Sequence, residues 1–407
     1  MKRIWAALWL ILLAAGLVGV YERLAQGHRV AGYTSNVPWG LWVALYMSLM
    51  GLSAGAFLLS NLAYVFNVKA LRRVGRLGLL TALVSLIAAL FAIWFDLGHM
   101  ARFWKVFLRP NFASPMAWMV WLYTAYFVTL AGELWYAIRA DLVRAADGDG
   151  IQARVARRLT FGNRDLTQQA MERDAHRVRL LGTIGVPLAI AFNAGSGVLF
   201  AVVEARPYWN SAVLPILFLV SALTTGGALL TFLVAFLTRD KGGETHRQTV
   251  AFLGRLTLGF LVLDLLLQVS ELLVGLNTTV PGHGDAVRWM LAGPGWWSFW
   301  LVTVLAGAVV PIVMLTRRGA SVSQMGTAGL LIAVSFVAVR LNIVVPGLVV
   351  PPLAGLPAAY VEPRLAFHYA PSAMEWLVAL FIVIVGVGLF HLGRNVLPVA
   401  GENRREA

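Results

Sequence analysis

The feature that most constrains this chain is a series of long apolar runs, each long enough to cross a lipid bilayer as a helix. A transmembrane helix needs roughly 20 mostly apolar residues to cross a hydrocarbon core about 30 Å thick. We predict ten such helices, at residues 4–22, 39–66, 77–99, 116–138, 180–203, 211–238, 249–274, 294–316, 325–346 and 372–393. The sequence therefore predicts an all-α polytopic membrane protein with about ten transmembrane helices.

The composition agrees with this class and excludes several kinds of site. Of 407 residues, 59% are hydrophobic and 13% are charged, whereas soluble domains have about 45–50% apolar and about 25% charged residues. The chain has no cysteine, which excludes disulfides, Cys-ligated zinc and an iron–sulfur cluster held by this chain alone. Its seven histidines fall in loops or at helix ends. They offer no deep pair for a transmembrane haem, so we predict no haem and no metal.

The first apolar run, from Ile4 to Val20, follows Lys2 and Arg3 and allows two interpretations. It is either a cleaved signal peptide or a retained helix. The run is long for a signal peptide, and no clear small-residue cleavage site precedes a polar start. These features favour a retained, peripheral first helix over residues 1–25.

Basic residues are distributed unequally between alternate loops. Of the 33 Lys and Arg, 23 fall in the set of loops that includes both termini, and 8 fall in the other set. The positive-inside rule places the richer set in the cytoplasm. We therefore predict a multi-pass protein of a bacterial or archaeal inner membrane with both termini cytoplasmic. The net charge of +14 is then an orientation signal, and nucleic-acid binding is not expected.

Two corners on the predicted outer side resemble each other. Residues 109–114 read Arg-Pro-Asn-Phe-Ala-Ser, and residues 206–211 read Arg-Pro-Tyr-Trp-Asn-Ser. Each corner ends an in-to-out helix and starts an out-to-in helix, which indicates a parallel repeat about an axis normal to the membrane. Arg-Pro with aromatic residues is also a common interfacial corner, and that alternative stays open.

The chain is predicted to form one integral membrane domain, residues 1–407. Within it we expect residues 38–139 and 180–274 to form part of the core bundles. Residues 140–179 are predicted to form a basic cytoplasmic loop, and residues 294–393 the C-terminal helices. The basic loop is typical of an amphipathic hairpin at an anionic lipid surface.

One predicted helix carries acidic residues within the membrane. Asp264, Gln268 and Glu271 are spaced i, i+4, i+7 and so share one helix face. Two carboxylates facing lipid are costly, so this face should point into the bundle, with Arg340 as the natural counter-ion. These residues form either a proton path or a buried ion pair that locks two helices, and the sequence leaves both open.

The densest group of polar and aromatic residues closes the third predicted helix. Asp96 and His99 are spaced i, i+3, and Arg102, Trp104 and Lys105 follow. A carboxylate beside an imidazole can exchange protons near neutral pH. Aromatic surroundings suit a flat ring such as a quinone head. The alternative is an aromatic belt with an interfacial histidine.

Several segments together carry a family resemblance over nearly the whole chain. They lie at residues 38–42, 51–56, 96–102, 109–116, 195–215 and 369–376. With them the chain resembles the NrfD/polysulfide-reductase membrane subunits, and most closely the ten-helix branch that includes the hydrogenase-2 type membrane subunit. It departs from the family pattern at Met100-Ala101 and at Asn193.

The resemblance implies a cofactor-free, quinone-reactive subunit with a core of two four-helix bundles. Electrons would pass between a ferredoxin-like iron–sulfur subunit and menaquinone or ubiquinone. The same complex would also contain a catalytic subunit. Asp96 and His99 would handle the protons. The quinone pocket that the resemblance implies consists of Asn36, Trp39, His99, Arg102 and Tyr123.

Two rival functions remain open. One is a proton-coupled secondary transporter, with Asp264, Glu271 and Arg340 as its coupling site. The other is a structural membrane anchor of a redox complex. Whether the chain is itself catalytic, and whether quinone chemistry drives proton translocation, cannot be decided from these residues.

Overall fold

The computed structural model describes residues 2–238, 242–353, 355–359 and 361–399. All regular secondary structure within these ranges is helical. The main helices are α1 Lys2–Gln26, α2 Leu41–Tyr64, α3 Gly75–Asp96, α4 Pro115–Ala146, α5 Gly150–Leu159, α6 Gln168–Ala201, α7 Leu214–Leu237, α8 Glu244–Asn277, α9 His283–Leu291, α10 Ser298–Thr316, α11 Val322–Val344 and α12 Ala373–Val396.

Nine helices of the described ranges are long and apolar enough to cross a membrane. The predicted class, an all-α polytopic membrane protein, is confirmed. The remaining predicted helix, the fourth, at 116–138, also forms a helix, α4, of 32 residues. It is not among the nine because its Trp and Tyr residues and Glu133 lower its mean hydropathy.

We call the helix ends beside the basic loops inner ends and the opposite ends outer ends, following the predicted orientation. Four basic residues that support this orientation, Arg239, Lys241, Arg404 and Arg405, lie outside the described residues, as does the Met1 terminus. On the inner side, α4 and α6 extend well past their predicted ends. The predicted loop 140–179 therefore consists largely of helix.

This inner segment is fixed to the helices that flank it. The guanidinium of Arg139 on α4 bonds the carboxylate of Asp174 on α6 at 2.5 Å, and both side chains are buried. The indole N–H of Trp135 donates to the carbonyl of Leu159, the last residue of α5. Buried charges of this kind are retained only when they are paired.

The membrane helices pack in two groups of four. The first group contains α2, α3, α4 and α6, and the second contains α7, α8, α10 and α11. The groups meet where α2 crosses α7, and the crossing is close because both helices have glycine there. A Cβ atom on Gly226 would lie 2.3 Å from the backbone carbonyl carbon of Gly55, so neither position accepts a side chain without displacing a helix.

The helices α1 and α12 pack against each other and lie beside α3. The indole N–H of Trp9 donates to the carbonyl of Ile384 at 3.1 Å. At Gly19, a Cβ atom would lie 2.4 Å from the Cβ of Leu377. The first and last long helices of the chain therefore form a pair on one side of the first group.

Candidate functional site

The outer end of α3 carries a half-buried carboxylate, Asp96, with a tyrosine partner. The hydroxyl of Tyr33, in the segment between α1 and α2, donates to Asp96 Oδ1 at 2.7 Å. The Tyr33 ring stacks on Tyr369 with centroids 5.9 Å apart. It also meets the rings of Trp42 and His28 edge to face. The carboxylate thus lies beside a cluster of aromatic rings.

A second carboxylate lies a short distance beyond this ring cluster. Glu375, at the start of α12, is fully buried. Its Oε1 accepts from the Tyr369 hydroxyl at 2.6 Å, and its Oε2 accepts from the backbone N–H groups of Gly32 and Ser372 at 2.8 and 2.9 Å. The Tyr369 hydroxyl in turn accepts from the Leu41 N–H at 2.7 Å. These bonds fix the starts of α2 and α12 to the same point.

Burial and nearby negative charge set the protonation state of both tyrosines. Burial raises the pKa of Tyr33 well above its ordinary value of 10.0, and the charge of Asp96 raises it further. Burial also raises the pKa of Tyr369, helped by the charge of Glu375. Both hydroxyls are therefore protonated donors at neutral pH.

An arginine closes this cluster from the side of α1. The guanidinium of Arg23 donates to the backbone carbonyls of Phe95 and Leu97 at 2.9 and 2.7 Å. These carbonyls belong to the last turn of α3, which would otherwise leave them without partners. The Arg23 side chain is buried and lies 5.8 Å from the centroid of the Trp42 ring. It carries positive charge close to Asp96.

The structure does not bring Asp96 and His99 together in a hydrogen bond. The helix predicted at 77–99 ends at Asp96, because Leu97 turns into extended backbone and Gly98 follows. Asp96 points to Tyr33, whereas His99 and Arg102 are exposed on the segment after the helix. The i, i+3 spacing therefore does not place them on one helix face.

Two further predicted residues, Asn36 and Trp39, lie just before α2. The side-chain amide of Asn36 donates to the Leu365 carbonyl at 2.6 Å, and the backbone carbonyl of Asn36 accepts from the Arg206 guanidinium at 3.4 Å. The Trp39 ring stacks on Trp209 with centroids 5.9 Å apart. Both residues thus contact the second Arg-Pro corner.

Tyr123, the remaining predicted quinone residue, lies on α4. Its ring meets the rings of Tyr46 on α2 and Phe192 on α6, with centroids 6.2 and 5.9 Å apart. The predicted quinone residues therefore occupy three places: the exposed segment after α3, the junction before α2, and the interior of the first group. They do not line either of the two cavities at the outer end of the second group, within the described part of the chain.

The predicted stripe on α8 faces the second group, as its spacing required. Asp264 is fully buried and accepts from the hydroxyl of Ser221 on α7 and the amide of Gln268 one turn along. Glu271 accepts from the Ser211 hydroxyl at 2.8 Å. These contacts give each carboxylate a neutral donor.

Arg340 on α11 lies near Asp264 and interacts with it electrostatically. The ion pairs found within 4.0 Å in the described ranges do not include one between these two residues. Instead, the buried guanidinium lies 4.0 Å from the centroid of the Phe218 ring. Its Nη1 has no hydrogen-bond partner among the described residues.

A cleft opens at the outer end of the second group, beside this stripe. Its cavity volume is about 60 Å³, and it is partly open to the surroundings. Its polar lining includes Tyr208, Gln268, Glu271, His283, Thr303 and Asn342. Burial raises the pKa of Tyr208 and lowers the pKa of His283, so both are neutral hydrogen-bonding groups.

A smaller cavity beside this cleft lies under the second corner, lined by Arg206, Pro346 and their neighbours. Within the residues that the structure describes, no group of three or more His, Asp or Glu could hold a metal ion. Any binding at these sites therefore rests on hydrogen bonds, aromatic contacts and single charges.

Sequence reasoning missed Tyr33, Tyr369 and Arg23, and it did not connect Glu375 with them. The sequence does carry one signal, because Ser372 and Glu375 have the spacing of a capping box, which the structure contains. Tyr33 is 63 positions from Asp96, and Gly32 is 343 positions from Glu375. Nothing local in the sequence indicates those contacts.

Comparison with known proteins places the chain among membrane subunits of reductases. The sequence model of the family described as polysulphide reductase, NrfD, matches residues 29–352. A selenate reductase subunit of Mesobacillus selenatarsenatis is 34% identical over 413 residues, which cover 99% of this chain and 96% of that protein.

Two further relatives are named for quinone chemistry. The Hdr-like menaquinol oxidoreductase integral membrane subunit of Archaeoglobus fulgidus is 27% identical, over 95% of this chain and 93% of its own. The menaquinone reductase integral membrane subunit of Nitratidesulfovibrio vulgaris is 22% identical, over 97% and 91%. In all three relatives the similarity runs almost from end to end.

Proposed function

The chain belongs to the NrfD polysulphide reductase family, and from that membership we propose that it is the quinone-interacting membrane subunit of a multi-subunit oxidoreductase. The end-to-end similarity to two integral membrane subunits named for menaquinol or menaquinone supports a quinone substrate. We take menaquinone or ubiquinone as that substrate. The chain is a multi-pass membrane protein, and we propose that both its termini are cytoplasmic, as the basic loops indicate.

The proposed reaction converts a quinone, two electrons and two protons into a quinol, or runs in reverse. The chain has no cysteine that could ligate an iron–sulfur cluster. The electrons would therefore come from, or go to, a ferredoxin-like iron–sulfur subunit of the same complex, which also has a catalytic subunit. The names of the relatives, as subunits of larger reductases, support such partners.

The observation that carries this proposal is the Tyr33–Asp96 pair at the outer end of α3. A half-buried carboxylate bonded to a protonated phenol, beside aromatic rings, can hold and pass on one proton. We propose Asp96 and His99 as the proton-exchanging residues. In this arrangement Tyr33 orients the Asp96 carboxylate, and exposed His99 exchanges protons with water.

The other proposed residues position the quinone. Arg102 is exposed near His99, and its charge favours the build-up of negative charge on a quinone carbonyl oxygen. Asn36 and Trp39 offer an amide and an aromatic face beside the second corner. Tyr123 would contact the ring from the interior of the first group.

For protons that cross the membrane, we propose a path through the second group by way of Asp264, Glu271 and Arg340. Hydroxyl and amide partners keep both carboxylates in the helix bundle. Intramembrane ionisable groups that face a bundle interior commonly mark such paths. The cleft beside Glu271 would connect this path to the outer side.

Replacing His99 by alanine in the intact complex tests the proposal. We expect quinone-linked turnover to fall by about 10²-fold, the usual contribution of a positioned proton donor or acceptor, because the exposed exchanger is lost. Assembly should be unchanged, because the His99 side chain is exposed. The measurements are turnover with a soluble quinone and the yield of assembled complex.

The matched control is His176→Ala, which removes an exposed histidine at the inner side, on α6. It should leave turnover unchanged. Full turnover in the His99→Ala complex would contradict the assignment of His99. If, in addition, no quinone is found in the lipid extract of the purified complex, the result supports the rival functions, a transporter or a structural anchor.

A further inference from the structure

A buried acid in the first group takes no part in the proposed quinone chemistry. Glu133 lies on α4 and has no exposed surface. Its Oε2 accepts from the amide of Asn61 on α2, at a long 3.4 Å. Its Oε1 is buried and has no hydrogen-bond partner in the described part of the chain. A carboxyl oxygen left without a donor in a helix bundle is costly, so the arrangement requires an explanation.

Next to Glu133, the side-chain oxygen of Asn61 also lacks a hydrogen-bond donor among the described residues. Its amide N–H groups reach the Phe57 carbonyl and Glu133, but its Oδ1 finds no donor among the described residues. Gly182 of α6 lies directly over this oxygen, since a Cβ atom there would be 2.0 Å from Asn61 Oδ1. Two acceptor oxygens are thus enclosed between three helices, and the site lacks a hydrogen to share.

We propose that Glu133 and Asn61 form a proton-holding site of the first helix group. A single proton on the Glu133 carboxylate supplies the missing donor and leaves the Asn61 amide as its neutral partner. In loading, an O–H bond of a hydronium ion in the inner water breaks, an O–H bond forms on the Glu133 carboxylate, and a water molecule is left; release is the reverse. No electron moves in either step. The exchanged species is therefore the proton itself.

The surrounding groups indicate the side from which the proton enters. Tyr64 is the last residue of α2, one helical turn nearer the inner end than Asn61, and its half-buried ring lies against Gly75 at the start of α3. Arg76 bonds Asp141 at 2.5 Å, and both side chains are partly exposed at the inner end. Tyr64 therefore lies between the enclosed acid and inner water.

Other ionisable groups around Glu133 do not provide an alternative route. Tyr126, further outward on α4, interacts with the Glu133 charge, but its hydroxyl is bonded to Ser53. The buried acid of α6, Asp174, is paired with Arg139. The route through Tyr64 is thus the one that the surroundings support.

Infrared spectroscopy of the purified complex tests the proton on Glu133 directly. A protonated carboxyl group has a C=O stretching band that shifts in D₂O, whereas a carboxylate lacks it. We expect Glu133→Gln to remove one such band, and Glu133→Asp to restore a band at a changed position. The control Glu172→Gln removes an exposed acid of α6 and should leave the band intact. Loss of a carboxylate band in Glu133→Gln would overturn the proposal.

Exchange of this band tests the route. After transfer from H₂O to D₂O, the Glu133 band should shift several-fold more slowly in Tyr64→Phe than in the parent complex. An unchanged exchange rate would overturn entry through Tyr64. Neither measurement requires quinone turnover, so their outcome is independent of the result for His99→Ala.

Discussion

The two Arg-Pro corners of the outer face, residues 109–114 and 206–211, share a sequence pattern but differ in how they are attached. In the second corner, Arg206 donates to three backbone carbonyls in two other segments, each at 3.4 Å. The indole N–H of Trp209 donates to the Ile343 carbonyl at 2.7 Å and is buried. This corner fixes the approach to α2 and the end of α11.

The first corner has only local bonds of this kind. The side chain of Asn111 accepts from the Ala113 N–H, and the Trp118 indole donates to the Phe112 carbonyl. Arg109 is exposed. A repeated motif can thus predict where the chain turns, while the segments packed around each turn determine whether it is held by long-range hydrogen bonds. We infer that the second corner is structural and that the first is accessible to other molecules.

The largest expected effect comes from removing the hydrogen bonds that attach the second corner to its neighbouring segments. Replacing Arg206 by alanine removes the donor to three carbonyls, two of which follow α11. We expect the free energy of unfolding to fall by about 1–3 kcal/mol, the range for leaving buried polar groups unpaired. The measurement is the Tm of the purified complex in detergent.

Arg109→Ala is the matched control, because it truncates the same residue of the same motif in the exposed corner. Its Tm should stay within the small range typical of surface changes, about 0.5 kcal/mol or less in stability. Equal destabilisation by both variants would remove the distinction between the corners.

Apolar runs predicted the helices because crossing a membrane is a requirement on local composition. The i, i+4, i+7 spacing of Asp264, Gln268 and Glu271 places them on one helix face, and the cost of carboxylates in lipid predicts that this face points into the helix bundle. Asp264 and Glu271 both bond side chains there. The spacing argument for Asp96 and His99 failed for a physical reason. It assumed a continuous helix, but Arg23, more than 70 positions earlier, binds the carbonyls where the helix ends.

The attachments of the candidate site were not predictable in the same way. Tyr33 and Asp96, or Gly32 and Glu375, meet only because α1 and α12 pack beside α3. The second of these contacts joins residues near the two ends of the chain, 343 positions apart. A single sequence gives the residue types at both ends and does not indicate their pairing.

The second prediction concerns the outer end of α3, from which the chain continues to the first, exposed corner. There the Tyr33–Asp96 bond is one of the few long-range attachments. Tyr33→Phe removes the donor and leaves the Asp96 carboxylate with weaker solvation. We expect a loss of about 1–3 kcal/mol at neutral pH. The Tm of the variant complex at pH 7 measures it.

The same variant should change the response to alkaline pH. In the folded protein the Tyr33 pKa is raised, so above pH 10 the unfolded tyrosine ionises first. Stability therefore falls as pH rises above 10, by up to about 1.4 kcal/mol per pH unit for this group. The loss should be smaller in Tyr33→Phe. An identical alkaline decline in both proteins would show that Tyr33 titrates freely and is not buried against Asp96.

The smallest expected effect concerns the stability of the second corner at acidic pH, and it depends on His283. This buried imidazole packs edge to face against Tyr208 of that corner, with centroids 5.9 Å apart. Burial lowers its pKa below 6.5, and the charge of Glu271 partly opposes the shift. As pH falls below 6.5, the unfolded chain therefore gains a proton that the folded protein does not, and stability decreases.

We expect His283→Gln to reduce this acid-dependent loss of Tm, measured about one pH unit above and below 6.5. Glutamine keeps a hydrogen-bonding side chain at the cleft and does not titrate. An equal acid-dependent loss of Tm in His283→Gln and in the parent complex would contradict the burial of His283 against Tyr208 of the second corner.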